Sequence, residues 1–312
     1  MFSNSLPPAI LTAGLRTASL DLNHPNFNYN AGKFRLQDSL SGIKMMELID
    51  IGCNLTHDSF ASDRAEVLER ARDAGVVQII VTGASEEGSI AALKLARQHP
   101  DKLFATAGVH PHHAVDFTAD AETVIRELVH QPGVVAAGET GLDYYRDFSP
   151  RAAQRKAFER QLHIGIDSGL PLFLHQRDAH EDFIAIIREV RNELENLVVH
   201  CFTGTRSELH EYLELDCFIG ITGWICDERR GTQLQEFMQE IPLQRLLVET
   251  DSPYLKPRNL RPRVKTHRNE PCWLPWVVDT LAVCRDESPE QLAAQTTANA
   301  RLFFGLPNPP EQ

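Results

Sequence analysis

From residue 46 onward, short apolar runs alternate with stretches in which apolar residues recur at helical spacing. The runs at 47–52, 76–82, 104–109, 134–138, 172–174, 197–199, 217–221 and 245–249 predict strands. Between them, helical periodicity marks 61–74, 86–98, 121–130, 150–168, 179–191, 206–213 and 233–239, and 274–284 and 289–304 follow the eighth strand. Punctuation agrees with this division. Ser149 reads as an N-cap with Pro150 in the first turn, and Gly75 and Gly169 stand just past helix ends. The strand runs are nearly all apolar rather than alternating, the pattern of parallel strands covered on both faces. Eight such alternations predict an α/β fold of (β/α)8 TIM-barrel type, with a doubly wound open sheet as the alternative.

The polar residues separate these two architectures. Asp50 and Asn54 lie at the end of the first predicted strand, and His110 and His112 follow the third. Glu139 follows the fourth, His175 the fifth, His200 the sixth and Asp251 the eighth. In a closed barrel all of these positions converge on one mouth, where barrel enzymes carry their chemistry. Singly, His175 or His200 reads equally well as a hydrogen-bonded core residue, and His112 as part of an irregular loop. A carboxylate leaving a buried strand, as Glu139 and Asp251 do, needs a partner. Together, Glu139, His175, His200 and Asp251 offer the mixed nitrogen and oxygen set that suits Mg²⁺, Mn²⁺ or Zn²⁺ in a hydrolytic site. With one or two ions there, Glu139 is placed to bridge two, His175 and His200 to ligate one of them and Asp251 to act as ligand or base, while His110 contacts the scissile group or its leaving oxygen.

Composition and charge narrow the partners. With 312 residues, 42% of them hydrophobic and 24% charged, the chain is globular rather than disordered or fibrous. Its net charge of −12 repels polyanions, so phosphate binding requires ions or a local basic patch. Arg258, Arg261, Arg263, Lys265 and Arg268 crowd the segment after Asp251, Arg229 and Arg230 follow the seventh strand, and Arg177 lies just past His175. His112, Arg177, Arg261 and Arg263 are accordingly candidate substrate-binding residues, with Trp224 and Tyr254 as stacking surfaces for bases. No apolar run reaches the ~20 residues of a membrane span. Six scattered cysteines without a Cys-x-x-Cys pair suit a reducing cytoplasm. Residues 1–45, with Pro7-Pro8, weak periodicity and a net charge of +2, are read as a flexible N-terminal extension or a mis-assigned start upstream of Met45 or Met46, with a targeting peptide as the alternative. The expected organisation is one barrel domain over 46–306 and a tail over 307–312.

Several segments then resemble one family, the TatD metal-dependent deoxyribonucleases of the amidohydrolase-like barrels. They are Asp50-Ile51-Gly52-Cys53-Asn54-Leu55, Ala107-Gly108-Val109-His110-Pro111-His112 and Gly138-Glu139-Thr140-Gly141-Leu142-Asp143. Leu174-His175-Gln176-Arg177-Asp178, Val199-His200-Cys201-Phe202-Thr203-Gly204 and Gly220-Ile221-Thr222-Gly223-Trp224 continue the series. Glu249-Thr250-Asp251-Ser252-Pro253-Tyr254 and Arg268-Asn269-Glu270-Pro271 complete it, so that the resemblance spans 46–306 in order.

The resemblance implies a Mg²⁺-dependent 3′–5′ exonuclease acting on single-stranded DNA and RNA, monomeric, cytoplasmic, and engaged in repair of oxidative DNA damage. It implies Glu139, His175, His200 and Asp251 as metal ligands and His110 as a further active-site histidine. Many relatives carry His-x-His on the first strand, where this chain has Gly52 and Asn54, which leaves Asn54 a supporting role. One firmly held ion, with a second arriving with substrate, is the resulting expectation. Competing readings keep the site but change the bond, as in a D-aminoacyl-tRNA deacylase or another amidohydrolase-type enzyme, or make the barrel a non-catalytic binding partner.

Overall fold

A computed structural model of the chain describes residues 46–308. Residues 1–45 and 309–312, which include the expected extension and most of the expected tail, lie outside the described residues. The apolar runs form β1 (Leu48–Cys53), β2 (Val76–Val81), β3 (Leu103–Ala107), β4 (Val134–Asp143), β5 (Leu172–Arg177), β6 (Leu197–Val199), β7 (Phe218–Ile221) and β8 (Leu246–Val248). Each pairs in parallel with the next, in sequence order. Beyond β8 the chain returns to β1: Asp251 N–H donates to the Gly52 carbonyl (2.8 Å) and Asn54 N–H to that of Ser252 (2.7 Å). These bonds bring the ends of the sheet together, giving the predicted barrel rather than an open sheet.

The helices are α1 (Arg64–Asp73), α2 (Glu86–Gln98), α3 (Ala119–Val129), α4 (Arg151–Ser168), α5 (His180–Val190), α6 (Arg206–Glu214), α7 (Thr232–Gln235), α8 (Leu274–Arg285) and α9 (Pro289–Phe304). Several are capped by residues chosen for the task. Ser85 Oγ accepts Gly88 N–H at the start of α2, and Thr205 and Glu208 form a reciprocal capping box on α6. Such a cap stabilises a helix by about 1 kcal/mol. Gly169 ends α4 at φ 65°, as expected. Ser149 does not cap α4. Pro150 holds that position, and Ser149 Oγ instead donates to the His112 carbonyl (2.9 Å) and accepts Val115 N–H (3.3 Å), tying two loops of the mouth together. The run expected at 233–239 breaks into α7 and a single tight turn at Met238–Glu240.

Alternation along each strand sorts the core into two layers. Leu48, Ile79, Ala105, Leu174, Val199, Ile219 and Val248 pack under the helices. Ile49, Ile51, Ile80, Ala136, Phe173, Val198, Phe218 and Leu247 form a second cluster, filling the barrel. Each fully buried side chain of this kind contributes about 1.5–3 kcal/mol. Phe303, Phe304 and Leu306 join the inner cluster, with Phe303 against Phe218 at 5.0 Å, and Gln78 Nε2 donates to the Pro307 carbonyl (3.0 Å). The C-terminal segment thereby closes the amino ends of the strands. The carboxyl ends remain for chemistry. Among the described residues no helix is long and apolar enough to cross a membrane, and all six cysteines are free.

Candidate metal centre at the barrel mouth

The inward positions change character as the strands rise. Phe173 is followed two residues on by His175, Val198 by His200 and Leu247 by Glu249, so the layer above the apolar filling is polar. Glu139 reaches the same layer by a different device. The β4–β5 register passes from Gly138↔Phe173 to Thr140↔Leu174, leaving Glu139 as an extra residue in a bulge. Its N–H donates to the Gly83 carbonyl (2.8 Å) instead of to β5, which turns the carboxylate into the mouth. Gly138 permits this at φ 138°, where a Cβ would run into the Phe173 carbonyl. The peptide between Gly138 and Glu139 is cis.

Glu139 Oε1 is the hub of the site. His200 Nε2 lies 2.7 Å away, His175 Nδ1 3.0 Å and His110 Nε2 3.4 Å. The His175 and His200 nitrogens are 3.4 Å apart. Ligand atoms about 2.1 Å from a common ion stand roughly 3.0–3.4 Å from one another, so the spacing fits a shared cation. His110, Glu139 and His175 each offer one potential ligand atom, all within 4.8 Å of one another. A divalent cation also accounts for the crowding of three imidazoles on one buried oxygen. The donor set fits.

Two further carboxylates stand behind the imidazoles. Glu249, fully buried, faces His200 Nδ1 (Oε2, 3.3 Å) and accepts Cys201 N–H (Oε1, 2.5 Å). Asp143 Oδ2 faces His175 Nε2 at 3.6 Å, too long for a hydrogen bond, and pairs with His112 Nε2 at 2.7 Å. His175 Nε2 is otherwise buried without a partner. A carboxylate on the far nitrogen fixes ring orientation and raises the basicity of the near one. Burial works against charge on Glu139, His175 and His200, but their mutual attractions outweigh it. They hold the Glu139 carboxyl well below the usual range and raise His200 and, less far, His175. Burial dominates at His110, driving it far down and keeping it neutral. Because its Nδ1 accepts His112 N–H (3.1 Å), the proton of the neutral ring resides on Nε2, facing Glu139.

Asp251 lies outside the His110–Glu139–His175 group, close enough to His200 and Glu139 to feel their charge, in a left-handed backbone conformation (φ 52°). Asn54 Nδ2 donates to its Oδ1 (3.0 Å), so Asn54 orients a carboxylate. Burial, partly offset by His200 and reinforced by Glu139 and Glu249, pushes the Asp251 carboxyl up to about 7. Of the other candidate residues, His112 bonds Asp143 and not the hub. Arg177 lies 5.0 Å from the Trp224 ring, and Tyr254 is half-exposed beside His57.

Much of the basic run is neutralised, contrary to its reading as one phosphate-attracting patch. Arg258 pairs with Glu228, Arg268 with Asp63 and Glu270, and Arg229 and Arg230 with Asp227. Arg261 and Arg263 remain exposed. Sequence reading passed over Glu249 and Asp143 as site residues. The alternation Leu247-Glu249 would have placed the first inside the barrel, and the second ends the motif that begins at Gly138.

Fold and site together define a metal-dependent hydrolase barrel with its centre at the carboxyl ends of the strands. The family model described as TatD related DNase matches residues 49–305, and the chain belongs to that family. A 3′-5′ ssDNA/RNA exonuclease TatD from Erwinia tasmaniensis is 51% identical over 83% of this chain and all of its own. One of the same name from Pantoea ananatis is 49% identical over the same shares. Among solved structures, a TatD homologue from Escherichia coli K12 superposes with a TM-score of 0.77 at 26% identity, over 85% of this chain and all of the other. A TatD family hydrolase from Entamoeba histolytica gives 0.74 at 26%, over 84% and 99%.

Proposed function

We propose that this chain is a metal-dependent nuclease that removes nucleotides from the 3′ end of single-stranded DNA and RNA, with Mg²⁺ as its ion. The observation that carries the reading is the Glu139 hub, three imidazole nitrogens around one carboxylate oxygen at a barrel mouth. The relatives that share the chain's full barrel carry the 3′-5′ ssDNA/RNA exonuclease name. Glu139, His175 and His200 would hold the ion, with Asp251 at its border. An ion there supplies a Lewis acid for a phosphoryl oxygen and lowers the pKa of water.

The residues of the chain supply the rest. Asp251, oriented by Asn54 beside the centre, is suited to take a proton from the attacking water. His110 presents its Nε2–H toward the centre and can donate a hydrogen bond to an oxygen on which charge develops. Glu249, on the far nitrogen of His200, keeps that ring from turning. The reading extends to a monomer working in the cytoplasm, for which six free cysteines are suited, on strand ends left by oxidative damage.

A nuclease time course on oligonucleotides blocked at either end tests it. Mononucleotides should appear from a free 3′ end, not from a blocked one, and chelator should abolish the reaction. Cleavage of D-aminoacyl-tRNA with no release of nucleotides would overturn it in favour of an acyl-ester hydrolase.

A further inference from the structure

The loop leaving β4 sends two large rings into solvent, Tyr145 (60% exposed) and Phe148 (65% exposed). Neither belongs to a loose segment. Asp143 Oδ1 accepts the N–H groups of Tyr145 (3.0 Å) and Arg146 (2.8 Å) while its other oxygen holds His112, so one carboxylate ties this loop to the centre. The Phe148 ring lies 4.7 Å from His112, which lies 4.2 Å from His110, which lies 4.3 Å from His175. An unbroken file of rings thus runs from the surface to the Glu139 hub. Tyr145 heads a second row: the Arg177 guanidinium is 5.0 Å from its ring and 5.0 Å from Trp224, and Arg230 is 4.1 Å from Trp224. Arg177 is fixed by a hydrogen bond to Thr203 Oγ1 (3.0 Å).

Flat apolar faces interleaved with guanidinium groups match one ligand chemistry well. A single-stranded polynucleotide offers stacked π faces and a chain of anions, and both attach to such a row. Both guanidinium groups also have a carboxylate neighbour, Arg177 Nε 3.7 Å from Asp178 Oδ1 and Arg230 paired with Asp227, so what this row offers a single strand is chiefly its flat stacking faces. We propose that Phe148 and Tyr145 stack on the bases of the last nucleotides of a single strand, holding the terminal phosphodiester over the Glu139 hub, with the Arg177–Trp224–Arg230 row bracing Tyr145. The proposal rests on the nuclease reading and names the part of the substrate that the site recognises.

The test compares a twelve-residue oligo-deoxythymidine with the same strand made abasic at its last two 3′ positions, using initial rates with wild-type protein, Phe148→Ala and Tyr145→Ala. Wild type should show a KM about a hundredfold higher on the abasic-ended strand, as expected for the loss of two stacked bases at about tenfold each. Each variant should raise KM for oligo-deoxythymidine by about tenfold and leave KM on the abasic-ended strand unchanged, with no fall in melting temperature. Variants that match wild type on both strands, or weaken both equally, overturn the proposal, and the first result would leave the rings for a protein partner. A wild type that cleaves both strands with equal KM sinks the stacking proposal alone. One that cleaves neither sinks the nuclease reading with it.

Discussion

The carboxylate of Glu249 occupies the space into which a side chain at position 52 would project. A Cβ on Gly52 would collide with Glu249 Oε2, and one on Gly220 would approach Oε1 to 2.7 Å. Two glycines thus make room for one buried acid, which in turn holds His200 Nδ1 and Cys201 N–H. A histidine at position 52 would have no place to stand here. Gly52→Ala should cost about 1–3 kcal/mol, as overpacking of a filled core does, measured by urea unfolding. Glu249→Gln keeps the volume but removes the charge behind His200, and should raise the Mg²⁺ concentration for half-maximal rate by about 10–100-fold. An unchanged Mg²⁺ dependence would show that Glu249 only fills space.

Arg261 and Arg263 are exposed members of the basic run with no carboxylate partner among the described residues. Replacing both with Ala should weaken single-stranded DNA binding. It should also flatten the slope of log K against log salt by about 1.4, since each lost phosphate contact removes about 0.7. Binding measured across a salt series checks this, and an unchanged slope would place both arginines away from the strand.

Asp279 on α8 gives a pH test remote from the centre. Burial, reinforced by Glu290, pushes its carboxyl up to about 6. An acid whose folded pKa lies above its unfolded value favours the fold while protonated. That contribution is complete below about pH 4 and disappears as pH rises through about 6. Asp279→Asn is neutral throughout, so it should melt roughly 2–4 °C above wild type near pH 8 and show a smaller gain near pH 4.5. An equal gain at both values would mean that charge at Asp279 is not what matters.

How much of this was legible in the sequence depends on what each residue answers to. The eight strands and their order follow from apolar runs, because a parallel strand is buried on both faces and its pattern is set locally. The rims are different. β4 continues to Asp143 and β5 to Arg177, where Gly141, Leu142 and Asp143 pair with His175, Gln176 and Arg177, and polar residues held by a neighbouring strand carry no apolar signal. Ser149 looks like a helix cap from its neighbours alone, yet its hydroxyl serves a loop 37 residues away. The imidazoles and Glu139 could be placed at one mouth from topology. Which carboxylate stands behind which ring could not, because Glu249 reaches His200 across 49 residues of chain. The basic run was over-read for the same reason: Asp63, Glu228 and Asp227 neutralise much of it from distant or folded-back segments.

Glu139→Gln removes the hub's charge and leaves its volume. Turnover on single-stranded DNA should fall by about a hundredfold or more, with the melting curve of the metal-free protein showing no loss of cooperativity. Activity close to wild type would mean that the ion is held elsewhere.

The most direct measurement is a calorimetric titration of chelator-stripped protein with Mn²⁺, for wild type and Glu139→Gln side by side, without nucleic acid. One tight ion per wild-type chain, lost in the variant, is the result expected if Glu139 holds it together with His175 and His200. Equal binding by the two proteins, or two equally tight ions in wild type, would contradict it.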